Sequence, residues 1–332
     1  MIYVPASSEN MVTIEQGLYA NLVLFALGLF CFFLNVPLLY TLLKSSKLRS
    51  EAKMLILMAF GDSVNCLAIS ALGLYRYNLY STSARSGQVP LQTARTCAER
   101  PSMWLRLLGN TWPPTVTLLM GIERIVASML PMLYVKNTHR KSIVVTVVTA
   151  VTLILFCVIG LVLVLTSSDS RKVKFDCGRK ATFGASFGVL IYCYEIFGYV
   201  AGLVLSIVAY YQTRSVMSND SSRSQLKRIR AYIAVAAIST VLVAVPDVKQ
   251  LLINHLKDAS FDEWISQAFN WLCLIASSFN IFVYLVISKE FRCEFCKCFA
   301  HSCVTTPPPA CSFRRLNVCV PPVRGLFFVL VL

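Results

Sequence analysis

Residues 19–43, 142–166 and 264–287 each run for more than twenty positions without one charged side chain. A helix needs about 20 apolar residues to cross a ~30 Å hydrocarbon core, and each run meets that length. A water-soluble helix of the same length needs a polar face, and these runs have none. Four further segments are nearly as apolar. Residues 54–75 carry only Asp62, 186–211 only Glu195, 231–252 only Asp247 and Lys249, and 102–130 only Arg106 and the Glu123–Arg124 pair. The whole chain is 56% hydrophobic and 14% charged, against about 45–50% and 25% for a soluble domain. The expected fold class is all-α, a membrane-embedded bundle of seven helices in a lipid bilayer.

Lys and Arg placement sets the expected orientation. None precedes the first apolar segment, and four lie between Lys44 and Lys53. Over alternate loops, one side of the membrane carries eighteen and the other ten. Basic loops stay in the cytosol, so the amino terminus is expected outside and the carboxyl terminus inside. The net charge of +15 then reflects topology and attraction to the anionic inner leaflet, not nucleic-acid binding. A cleavable signal sequence is not expected, because residues 1–18 have no basic start and the first apolar run is too long for one.

The thirteen cysteines separate by position. Cys97 and Cys177 are the only two in expected outer loops, where the surroundings are oxidising, so a bridge between them is expected. It would tie the second outer loop across the mouth of the bundle. Cys293, Cys296 and Cys298 in "CEFCKC" sit beside a membrane exit among basic residues, a setting for acylation. Inert thiols and metal ligands are the other readings, though no second cysteine cluster matches.

The third segment ends Glu123-Arg124-Ile125, with Pro131 and Tyr134 seven and ten positions beyond the arginine. The last reads Asn280-Ile281-Phe282-Val283-Tyr284, with Phe291 seven further on; Asn35, Asp62 and Pro246 stand in the first, second and sixth. Together these resemble the rhodopsin-like G-protein-coupled receptors over residues ~19–299, with Ile281 where the family motif has proline. "GIERIVASMLPMLY" with "FNIFVYLVISKEFR" is similar more narrowly to the nematode serpentine chemoreceptors of class sx. The resemblance implies an extracellular segment 1–18, a seven-helix domain 19–287, a short amphipathic eighth helix at 288–299 and a cytosolic tail 300–332. It also implies a plasma-membrane location and no enzymatic role.

On this resemblance Glu123, Arg124, Pro131, Tyr134, Asn280 and Tyr284 form the G-protein switch. Glu123 neutralises Arg124 at rest. Outward movement of the sixth helix then frees Arg124 for a heterotrimeric G protein, and Tyr284 fills the space. Asn35, Asp62 and Ser277 form a polar core with Asn280. No cofactor is implied beyond a sodium ion near Asp62. Ala276 and Pro113 stand where relatives often offer polar ligands, so a water-bridged cluster is expected ahead of a strong sodium site. The sixth helix lacks the acid that pairs with the arginine in many relatives; "SQLKRIRAY" is basic throughout. Ala244 replaces a common tryptophan, and Pro113-Pro114 is expected to kink the third helix.

Polar side chains in the outer halves of the helices outline a ligand pocket. Arg106 lies 18 residues before Arg124, about five turns away, with Asn110 one turn below it. Glu195, Asp247, Gln250, Asn270 and Trp271 complete the set, since charges in lipid face the bundle interior and pair. A small or zwitterionic ligand, or a peptide terminus, fits such a pocket. A structural Arg106–Glu195 or Arg106–Asp247 pair is the plainer alternative. The leading function is a chemosensory, small-ligand or neuropeptide receptor. The alternatives are a signalling-incompetent member of the fold and a channel or transporter; no internal repeat supports the last. A retinal protein is excluded by the absence of lysine from 264–287. The ending "GLFFVLVL" is too short to span; leaflet insertion, a partner-binding carboxyl terminus and a wrong exon are its possible readings.

Overall fold

Apolar runs as wide as a bilayer must satisfy their backbone hydrogen bonds internally, and helices do this residue by residue. The computed structural model describes residues 3–5, 8–130, 138–167, 172–173, 175–216, 220–256 and 262–300. The long helices are α1 (Ser8–Lys44), α3 (Lys53–Ser86), α5 (Pro101–Met129), α6 (Thr138–Thr166) and α8 (Ala185–Val216), followed by α9 (Asp220–Ser239), α10 (Val245–Leu256) and α11 (Asp262–Ile287). Short helices α2 (Ser46–Glu51), α4 (Ala94–Ala98) and α7 (Arg179–Phe183) join them, and α12 (Lys289–Ala300) follows α11. The chain divides into two units, Met1–Arg292 and Cys293–Leu332.

Among the described residues, six spans are long and apolar enough to cross a membrane: in α1, α3, α6, α8, the α9–α10 stretch and α11. Their large apolar side chains point outward, as with Phe33, Ile154, Phe197 and Val241. That is the inverse of a water-soluble bundle. α5 is as long as α6 but more polar, and its inner face buries Arg106, Asn110, Thr111, Thr115 and Thr117. It packs against α3, α6 and α8.

Two local devices shape the bundle. Pro113-Pro114 lies inside α5, which is helical throughout. Gly198 and Gly202 of α8 let the two helices close on this stretch: a Cβ at Gly202 would lie 2.7 Å from the Thr117 carbonyl oxygen, and one at Gly198 2.7 Å from the Pro114 Cβ. The second device is the π-helical turn Thr240–Ala244 between α9 and α10, where the Val245 N–H donates to the Thr240 carbonyl five residues back. It ends two residues before Pro246, which has no N–H and whose ring crowds the carbonyl four residues earlier; a wider turn accommodates both.

One end of the bundle is closed by short strands. β1 (Tyr3–Pro5) pairs antiparallel with β2 (Gln88–Pro90), matching Val4 with Val89, and β3 (Gln92–Thr93) pairs with β4 (Lys172–Val173). The Cys97–Cys177 disulfide joins α4 to the loop before α7, with Cα atoms 5.4 Å apart. Beneath it an apolar cluster of Met103, Leu107, Phe156, Phe183, Phe187 and Ile191 fastens α5, α6, α7 and α8 together.

Candidate functional site

The disulfide brings the residues just after Cys177 over the open end of the bundle. Arg179, at the start of α7, reaches Glu195 of α8 at 3.0 Å and lies over the Tyr192 ring at 4.7 Å. Burial works against its charge, but Tyr192 and the carboxylates of Glu195 and Asp247 hold the guanidinium protonated beyond the ordinary arginine range. Beside it, Arg76 of α3 pairs with Asp176 at 3.6 Å.

Below these pairs lies a cavity of about 290 Å³. Arg106, Asn110, Glu195, Asp247 and Asn270, five of the seven residues expected at a ligand pocket, line this one space. Arg106 donates through Nη2 to Asn270 Oδ1 at 2.9 Å. Glu195 and Asp247 lie side by side. Trp271 is not among the lining residues; it packs on the cluster of Leu24, Cys31, Cys66, Ile69 and Leu274. The Gln250 side chain lies outside the described part of the protein. Neither the Arg106–Glu195 nor the Arg106–Asp247 pair, the plainer alternative to a pocket, is among the ion pairs of the described residues; Glu195 pairs with Arg179 instead. Arg179, Arg76, Lys180 and Tyr192 also line the space, and sequence reasoning missed them. One signal was available: a loop pinned by Cys177 turns its next residues toward the mouth.

The floor of the cavity includes Asn65 and Ser277, and from there buried polar contacts run inward. Asn65 Nδ2 donates to Ser277 Oγ at 3.5 Å, and Asn35 Nδ2 to the Ser277 carbonyl at 3.1 Å. Asp62 accepts from Ser277 and, at 2.5 Å, from Asn280 Nδ2. The structure therefore brings Asn35, Asp62, Ser277 and Asn280 together. Asp62 is the one carboxylate in this cluster, and it accepts from the Asn280 and Ser277 side chains.

One turn beyond Asn280, Tyr284 lies on the same face of α11. Its ring is 6.1 Å from Phe291 and 6.4 Å from Tyr232 of α9. The Arg124 guanidinium lies 4.3 Å over the Tyr232 ring. Cation and ring attract at this distance by ~0.5–2 kcal/mol. An aromatic ring thus stands where the sequence offered no acid. Pro131 and Tyr134 lie outside the described residues. Cys293, Cys296 and Cys298 are free thiols on α12, with Cys296 exposed.

The family described as "Serpentine type 7TM GPCR chemoreceptor Srsx" matches residues 28–299. No curated protein matches the chain.

Proposed function

The chain belongs to the Srsx family of serpentine 7TM GPCR chemoreceptors, and on that premise we propose that it senses a small ligand in the outer cavity and signals through a heterotrimeric G protein. It is a multi-pass membrane protein of a receptor family, not of an enzyme family. α5 makes the seventh crossing: its 29 residues extend about 43 Å at ~1.5 Å per residue. The amino terminus lies outside, α12 follows as an amphipathic eighth helix at the inner leaflet of the plasma membrane, and its cysteines are acylation sites.

The observation that carries this reading is the polar continuity between the two ends. Ser277 lines the cavity and contacts Asp62; Asp62 holds Asn280; and Tyr284 joins that helix face to Tyr232 and Arg124. A ligand that favours one arrangement of the outer cluster shifts the population of the inner one. In the active state α9 moves outward, Tyr232 leaves Arg124, and the guanidinium meets backbone carbonyls of the docked G protein. The Asp62 cluster works as a hydrogen-bonded relay in preference to a sodium site.

A signalling-incompetent member is the second reading, favoured by Ala244 at the usual tryptophan position. Against it, Ala244 is buried in an apolar cluster with Tyr199, Val243 and Ala276. The test is G-protein dissociation in cells displaying the receptor with an amino-terminal tag. Tag access from outside and a basal or ligand-driven signal, lost in Arg124→Ala at equal surface display, are the expected results. An unchanged signal in that variant, or a tag reachable only after permeabilisation, overturns the proposal.

A further inference from the structure

The charges around the cavity are not all matched within the protein. Arg76 has Asp176, Arg179 has Glu195, and the Lys180 ammonium lies over the Tyr192 ring at 5.6 Å. Arg106 and Asp247 remain. Both line the cavity, they are only 8% and 6% exposed, and neither enters an ion pair among the described residues. Arg106 Nη1 and Asp247 Oδ2 have no hydrogen-bond partner among the described residues. A buried charge without a counter-charge is costly. Asp247 also adjoins Glu195, and two neighbouring carboxylates repel unless a shared proton or a positive group comes between them. Arg179 and Arg106 lie near enough to act on Asp247 without pairing with it, so the wall still offers one free donor at Arg106 and one free acceptor at Asp247.

Size and lining narrow the ligand further. About 290 Å³ is near the small end of the range for small-molecule pockets. Leu24, Ile69, Leu72 and Met103 supply an apolar part of the wall. Resting on the reading of this cavity as the ligand pocket, we infer that it takes a free α-amino acid with an apolar side chain. The carboxylate is held by Arg106, and the ammonium by Asp247 together with Glu195.

The test uses the full-length receptor in lipid nanodiscs. Alanine, valine, leucine, methionine and phenylalanine are titrated by calorimetry and thermal shift. The tightest binder is then compared with its decarboxylated amine and its deaminated acid. Each counterpart is expected to bind about tenfold or more weakly, the loss of one charge-assisted contact. Arg106→Gln should erase the preference for the amino acid over the amine, and Asp247→Asn the preference over the acid. Retained binding of the unaffected counterpart shows that each variant is folded, and Arg106→Lys should keep part of the preference. Equal binding of either counterpart, or no binding by any of the five amino acids, overturns the inference. Amino-acid binding without any G-protein response would sink the receptor reading and leave the ligand class standing. A G-protein response to a neutral compound or a peptide alone would do the reverse.

Discussion

At the end of the bundle proposed to face outward, a guanidinium delivered by a loop meets a carboxylate on a helix, Arg179 with Glu195 at 3.0 Å. At the inner end the guanidinium sits on the helix itself and meets a ring, Arg124 over Tyr232 at 4.3 Å. The first contact replaces solvation for two buried charges, and removing either partner strands the other. The second is weaker and leaves both partners tolerable when they separate. A two-state element needs a gap of only a few kcal/mol between its states. Under the proposed switch, the weak contact falls at the end that moves and the strong one at the end that holds the pocket's shape.

Substitutions can break or sharpen this contrast, beginning with the largest effect. Glu195→Ala leaves the Arg179 guanidinium buried without its carboxylate and should cost about 3–5 kcal/mol. The melting temperature of the purified receptor should fall steeply, and the Arg179→Met/Glu195→Met double variant should recover most of the loss. If the single and double variants melt together, the outer pair is not the rigid element described here. Next, Gly202→Val forces side-chain atoms against the Thr117 carbonyl and should cost about 1–3 kcal/mol of stability. Its effect is expected on melting temperature and surface display, without a change in basal signal per displayed receptor.

The inner contact should respond differently. Tyr232→Leu removes ~0.5–2 kcal/mol of attraction for Arg124, so basal G-protein activation should rise several-fold with little change in melting temperature. Tyr232→Phe keeps the ring and should stay near the parent; a rise as large as that of Tyr232→Leu would assign the latch to the hydroxyl instead. The smallest effect is expected at the exposed Lys47–Glu290 pair, 3.2 Å apart with side chains 60% and 41% accessible. Lys47→Ala should shift stability by less than about 1 kcal/mol, and by less still in high salt.

The same contrast explains which parts of the protein were legible in its sequence. Uncharged runs announce spans through a simple length requirement, and six appear where the runs lie. Cys97 and Cys177 were identifiable because the Lys and Arg count leaves them alone in the loops expected outside, and they are bridged. Asp62 and Asn280 meet because helix periodicity aims both inward. The partner of Glu195 was not legible, since the path of a loop decides it and no periodicity governs that path. Tyr232 was overlooked because the basic stretch around it was searched for an acid, although a ring also satisfies a cation. Pro113-Pro114 suggested a kink in α5; the residues on both sides of the pair are helical, and α8 seats two glycines against them. Propensity rules assume a helix on its own, and the close seat given by Gly198 and Gly202 is a tertiary effect.

The five-residue turn at Thr240–Ala244 makes one residue more than an α-helical path would need. Since each residue of an α-helix advances about 100° around the axis, that surplus residue sets the angular phase between the halves of this span. It is the reason one continuous rod can present Tyr232 to the arginine at the bottom and Asp247 to the chamber at the top. Deleting a single residue from the turn would rotate the upper half by that angle and swing the carboxylate toward a different neighbour, while leaving the lower half where it was.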